Sequence, residues 1–256
     1  MNFIKDIIKA VLYKPLFNLL VFLVWLMPGN NIGLGIILLT VIIRFALYGT
    51  QKNSIVSQKK MQEIQPELEE IKQKYAKDQQ AQAQATMDLY KRNNINPFSS
   101  CLPLLIQLPI LIVLYKVFTV GLTTERFDLL YNFTPRPEVI NTMFLGMDLA
   151  NPSIILAIIA GALQFIQSKM MMPSQPKKAK KTGNPTDAMM NSFSTQMVYM
   201  FPIMTVIIAI KLPGALPLYW IVTTLFMIIQ QLIINRTKNK IDIKGISVKV
   251  RDTSSK

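Results

Sequence analysis

The stretch GLGIILLTVIIRFALYGTQ, Gly33 to Gln51, decides the fold because it sets an arginine, Arg44, inside an otherwise apolar helix of membrane-spanning character. A charge at the centre of a bilayer costs at least ~3 kcal/mol on insertion scales, so a chain keeps one there where it faces protein or water. Helical spacing adds to the case: Thr40, Arg44 and Tyr48 fall at i, i+4 and i+8, with Gln51 at i+7 from the arginine, so all four share one side. Leu38, Ile42 and Phe45 make the opposite side apolar. Two readings stand at this point. Arg44 is a functional charge in a polar pocket, or it lies near the helix end and snorkels to the surface.

Composition agrees with a membrane protein. Of 256 residues 51% are hydrophobic, in several long runs, and the net charge is +14. That charge suits anionic lipid or nucleic acid, and its placement decides between them. Histidine is absent and Cys101 is the single cysteine, so no disulfide framework within the chain and no His/Cys zinc site is expected. No cofactor is called for, and Cys101 reads as an incidental buried thiol.

Working outward, residues 1–32 form an N-terminal segment. Twelve residues between Pro15 and Pro28 give a helix of ~18 Å, short of a ~30 Å hydrocarbon core, which favours an interfacial helix lying along the membrane. A single span over residues 7–27 is the alternative. On the other side of the Arg44 helix, residues 52–96 turn polar. Ile64, Leu68 and Ile71 recur at helical steps, Pro66 marks a kink, and a second helical pattern follows Lys77-Asp78, which predicts a helical hairpin.

Further spans are predicted at about 101–120, 153–169, 197–211 and 217–234. With 33–51 these make five, within a membrane domain covering 33–234. Pro103, Gln107 and Pro109 interrupt the second, and neighbouring helices must satisfy the backbone groups they free. The third and fourth are short, which would thin the local bilayer. A basic linker, 170–196, and a basic tail, 235–256, complete the chain. Most of the 28 Lys and Arg lie in the hairpin, linker and tail, against Arg126, Arg136 and Lys211 opposite. The positive-inside rule therefore makes hairpin, linker and tail cytoplasmic.

The segments KPLFNLL, IIRFALYGTQ, IQPELEEIKQKY, NPFSSCLPLLIQLPI, FLGMDLANP, LPGALPLYWIV and IIQQLI, taken in this order, resemble the YidC/Oxa-type membrane protein insertases over nearly the whole chain. The resemblance implies an all-α integral membrane protein, with five transmembrane helices around a hydrophilic groove open to cytoplasm and lipid. An interfacial amphipathic helix precedes them and a cytoplasmic helical hairpin follows the first span. It also implies a multi-pass protein of the bacterial cell membrane with a cytoplasmic C-terminus. Arg44 would be the groove arginine, Thr40 its polar neighbour, and Gln164 and Trp220 lining residues, with Gln107 and Tyr219 beside them. Tyr219 and Trp220 read equally as an aromatic belt from their place at a span end.

The function implied is that of an insertase and chaperone in protein transport, not an enzyme, with no Gly-rich phosphate loop in sight. Nascent membrane-protein segments and the lipid bilayer are the partners. Sec translocon, signal recognition particle and its receptor, and the ribosome are further ones, the last through hairpin and tail, without direct DNA binding. The rival is an anion channel or transporter using Arg44, which predicts a continuous pore where an insertase predicts an outward seal.

Overall fold

The computed structural model describes residues 9–76, 78–96, 102–121, 129–171 and 198–245. Cys101, Lys77, the charges at Glu125, Arg126 and Asp128, the linker from 172 to 196 and the tail beyond 245 lie outside the described residues. The described chain is almost all helix: α1 (Lys14–Leu26), α2 (Ile32–Ala46), α3 (Tyr48–Glu63), α4 (Gln65–Lys74), α5 (Gln79–Arg92), α6 (Leu102–Gly121), α7 (Ile154–Met171), α8 (Val198–Ala209) and α9 (Ala215–Gly245). One two-residue antiparallel ladder, β1 (Met143–Phe144) with β2 (Met147–Asp148), sits in the connection between α6 and α7.

Among the described residues three helices are long and apolar enough to cross a membrane, Lys9–Leu26, Ile154–Met171 and Ala215–Arg236, or four if α2 and α3, bent by 65° at their junction, count as one. Three results refine the expectations. Pro15 opens α1 rather than cutting it: proline is tolerated in a first turn, and a π turn over Lys9–Tyr13 extends the helix backward. The apolar helix is therefore 18 residues, not twelve. Helix α7 also has 18 residues, or ~27 Å at 1.5 Å per residue, so the shortness expected of the third span disappears. Pro66 likewise lies in the first turn of α4, where it starts a helix after the break at Ile64.

The main core joins Phe17, Leu20 and Val24 of α1, Ile32, Ile36 and Leu39 of α2, Val113, Leu114, Val117 and Phe118 of α6, and Leu216 and Tyr219 of α9. Its far end is stapled by backbone bonds. Asn30 and Ile32 pair with Asn141, Leu149 accepts from Ala215, and Asn151 accepts from Gly214. Asn31 caps α2 by accepting from the Leu34 amide, and its Nδ2 donates to the Met143 carbonyl. A separate small core, Ile64, Leu68, Leu89 and Ile95, holds α4 against α5.

Candidate functional site

A polar cleft opens where α2 bends into α3. Helix α2 enters as an apolar rod with Ile32, Ile36 and Leu39 fully buried, and reaches Arg44 in its last turn. The helix breaks at Leu47, and α3 carries Gln51, Ser54 and Gln58 along the cleft wall at i, i+3 and i+7. Opposite them stand Gln107 of α6, Gln164, Gln167 and Ser168 of α7, Thr205 of α8, and Trp220, Thr223 and Thr224 of α9. The cleft holds about 320 Å³, and of its lining residues only Arg44 carries a formal charge.

Arg44 is 2% exposed and held by a relay. Its Nη2 donates to Gln107 Oε1 at 2.8 Å, and Gln107 Nε2 donates to Tyr219 Oη at 2.7 Å. The relay joins α2, α6 and α9, and Tyr219 is fixed in turn by the Phe118 ring at 6.2 Å. Arg44 Nε, Gln51 Oε1 and Thr223 Oγ1 are buried with no hydrogen-bond partner among the described residues. Such groups cost free energy unless something polar reaches them, so this wall is built to be wet or occupied.

Of the six residues singled out in the sequence, Arg44, Gln107, Gln164 and Trp220 line one cleft. Thr40 and Tyr219 do not: Thr40 is 0% exposed with its hydroxyl donating to Ile36 O, and Tyr219 stands behind Gln107 in the core. Gln51 was placed on the Arg44 side of its helix but not assigned to the groove, and Ser54, Gln58 and the pair Thr223 and Thr224 were passed over. Their signal was present as uncharged polar residues at helical spacing next to apolar runs.

The cleft has one closed end. Along α2 the order is core, then Arg44. Along α6, Gln107, Leu108 and Leu111 face the cleft before Val113, Leu114, Val117 and Phe118 enter the core. Along α9, Leu216 and Tyr219 lie in the core before Thr223, Thr224 and Gln231 meet the cleft. At the open end two glutamines hold the last turn of α7: Gln62 of α3 donates to Met171 O at 2.6 Å and Gln231 of α9 to Met170 O at 3.0 Å. A second, smaller cavity of about 260 Å³ lies beside them, lined by Gln58, Lys59, Gln62 and Asn235 among others.

A family model described as 60Kd inner membrane protein matches residues 24–241, which include every residue that lines the cleft. The chain belongs to this family. Among similar proteins, the membrane protein insertase YidC of Fusobacterium nucleatum is 35% identical over 204 residues, covering 79% of this chain and 85% of that protein. The membrane protein insertase MisCA of Bacillus subtilis is 37% identical over 233 residues, 88% of this chain and 78% of that one. The YidC of Oceanobacillus iheyensis is 36% identical over 212 residues, with 81% and 76% covered. The chain is thus a YidC/Oxa-type insertase-family protein of the cell membrane, crossing it more than once. The channel or transporter reading finds no support in these relatives, and among the described residues packed core closes one end of the cleft.

Proposed function

We propose that the protein inserts nascent hydrophobic segments into the bilayer through the Arg44 cleft, acting as an insertase and chaperone without making or breaking a bond. One observation carries the reading: a buried cation in a polar cleft open at one end and sealed by apolar packing at the other. A closed end stops ions from passing straight through. An open end lets a polar terminus enter a partly dehydrated space, where Arg44 pairs transiently with acidic groups. Burial of the apolar part of the substrate in lipid supplies the driving force, at roughly 25 cal/mol per Å².

In this reading α2, α6, α7, α8 and α9 are the five spans and α4 with α5 is the helical hairpin. Hairpin, linker and C-terminus are cytoplasmic, because the basic residues collect there. Helix α1 lies along the outer interface. Its Lys14 ammonium sits 5.4 Å from the Tyr131 ring, and Asn18 bonds to Leu129 O, Tyr131 N and Thr134 Oγ1, so the helix follows a connecting segment that carries Arg136 and Glu138. A charged, irregular segment does not accompany a helix through hydrocarbon. The hairpin and basic tail contact the ribosome and anionic lipid, and Sec translocon and signal recognition particle with its receptor deliver substrates.

The test is insertion of matched single-span substrates with acidic or neutral outer termini into liposomes holding wild type, Arg44→Lys or Arg44→Ala. A point charge replaces a guanidinium where no fixed bidentate partner exists, so Lys should keep much of the activity and Ala should fail mainly on acidic termini. Equal yields for all three proteins with both substrates would remove Arg44 from the mechanism.

A further inference from the structure

The connection between α6 and α7 contains a feature the cleft does not use. Residues 139–147, VINTMFLGM, form a loop segment without a single charge. Its hairpin is held rigidly at the sealed end of the molecule. Asn31 Nδ2 donates to Met143 O, the Phe144 ring occupies the space a Cβ at Gly33 would need, and Ser153, which caps α7, lies 3.6 Å from the Met147 sulfur. The other face is bare: Met143 is 50% exposed and the tip residue Leu145 is 81% exposed.

The backbone at the tip makes this costly. Leu145 has φ +50° and Gly146 φ +77°. Two successive positive φ values belong to the tight hairpin turn that favours Asn-Gly, and glycine meets that need at one position. At the other stands a leucine, which combines the left-handed backbone with an exposed apolar side chain where asparagine would relieve both. Strain kept at an exposed apolar tip calls for a function, and the surroundings indicate which. The hairpin adjoins the start of α7, where Ile154, Ile155 and Ile158 are each more than half exposed on a helix long and apolar enough to cross the membrane. An uncharged tip on a hairpin tied through Met147 to Ser153 at the start of that helix fits lipid and offers nothing to a charged protein surface. The acid that closes the hairpin, Asp148, is occupied within the loop by Thr142, Ala150 and Asn151.

We propose that the Met143–Asp148 hairpin is a lipid anchor. Leu145 enters the boundary between headgroups and acyl chains, with Met143 beside it. The irregular backbone of the turn keeps it at that depth, since headgroup water can satisfy it and hydrocarbon cannot. Anchored there, the hairpin fixes the outer ends of α2 and α7 against the bilayer and holds the seal at constant depth. That the leaflet is the outer one rests on the orientation proposed above; the anchor itself does not.

The experiment uses the full chain in liposomes without substrate. In a Cys101→Ser background, an environment-sensitive fluorophore is placed at Leu145→Cys, with Ile158→Cys as the lipid control and Gln84→Cys as the water control. Lipids spin-labelled near the headgroup or deep in the chain serve as quenchers. The anchor predicts blue-shifted emission at 145 and several-fold stronger quenching by the shallow label than at 84. Water-like, unquenched emission would overturn it. So would blue-shifted emission that neither label quenches, which would place the tip against protein. A second probe at Met143→Cys reports on Leu145→Asn, which keeps the turn geometry and removes the apolar group. Quenching at 143 should fall several-fold, and unchanged quenching would refute Leu145 as the anchor. Insertion yield is recorded separately, so failure of the insertase reading leaves this result intact. Quenchers confined to one leaflet test the orientation alone.

Discussion

Gln107→Leu should weaken the fold far more than its size suggests. The substitution keeps side-chain volume and deletes both bonds of the relay. Arg44 Nη2 loses its acceptor at 2.8 Å and Tyr219 Oη loses its donor at 2.7 Å. Arg44 faces the cleft while Tyr219 is 0% exposed behind it, so water can reach the arginine but does not readily replace the bond to the phenol. A hydrogen bond to a charged group contributes about 1.5–3 kcal/mol and a neutral one about 1 kcal/mol, so the expected loss is about 3 kcal/mol. Tyr219→Phe alone breaks only the second bond and should cost about 1 kcal/mol. In the double variant that bond is lost once, not twice, giving a coupling of about 1 kcal/mol. Thermal unfolding in lipid nanodiscs measures all four corners of the cycle. Additivity within ~0.5 kcal/mol would refute the relay, because independent sites add to that accuracy.

Other outcomes follow from the same geometry. A Cβ at Gly161 of α7 would overlap Val206 of α8, so Gly161→Ala should cost about 1–3 kcal/mol by overpacking, and Val206→Ala should restore most of it. No recovery in thermal stability would place the strain elsewhere. Cysteine at Phe133, 83% exposed, should react with an impermeant reagent on intact cells, while cysteine at Gln84 should not; Thr134, 6% exposed and bonded to Asn18, is unsuited to this test. The reverse pattern would invert the topology. Hydrogen bonds from Thr142, Ala150 and Asn151 hold the Asp148 carboxyl below its ordinary range. Its contribution is present above the unfolded value and is lost as pH falls through the lower folded one. The stability difference between wild type and Asp148→Asn should therefore exist at neutral pH and shrink below about pH 4. A difference independent of pH would show that the carboxylate is not what matters.

Long apolar runs made the helices legible, because hydrophobic length survives errors of a few residues at each boundary. Arg44 was legible for the opposite reason, as a single charge that hydropathy does not tolerate. The cleft's other wall was harder to see. Ser54 and Gln58 lie past the apolar run, and only the 65° bend at Leu47, with no proline at the break, brings them and Gln51 beside Gln107. Thr223 and Thr224 barely disturb hydropathy, since threonine is nearly neutral in a span. Pro15 misled in its own way. A proline can open a helix as well as end one, and the sequence before it, rich in lysine, hid a further helical turn.

The two glutamines at the last turn of α7 make the molecule unequal in stiffness from end to end. Moving the last turn of α7 away from α3 and α9 at the open mouth exchanges the bonds from Gln62 and Gln231 for bonds to water beside an existing polar cavity, a net cost of about 1 kcal/mol each. Parting the helices at the sealed end would bring Phe17, Leu20 and Tyr219 into water, at about 1.5–3 kcal/mol for each side chain of that size. A thick substrate therefore widens the entrance before it disturbs the floor. The cleft yields in the direction from which a segment arrives and stays rigid in the direction through which ions would leak.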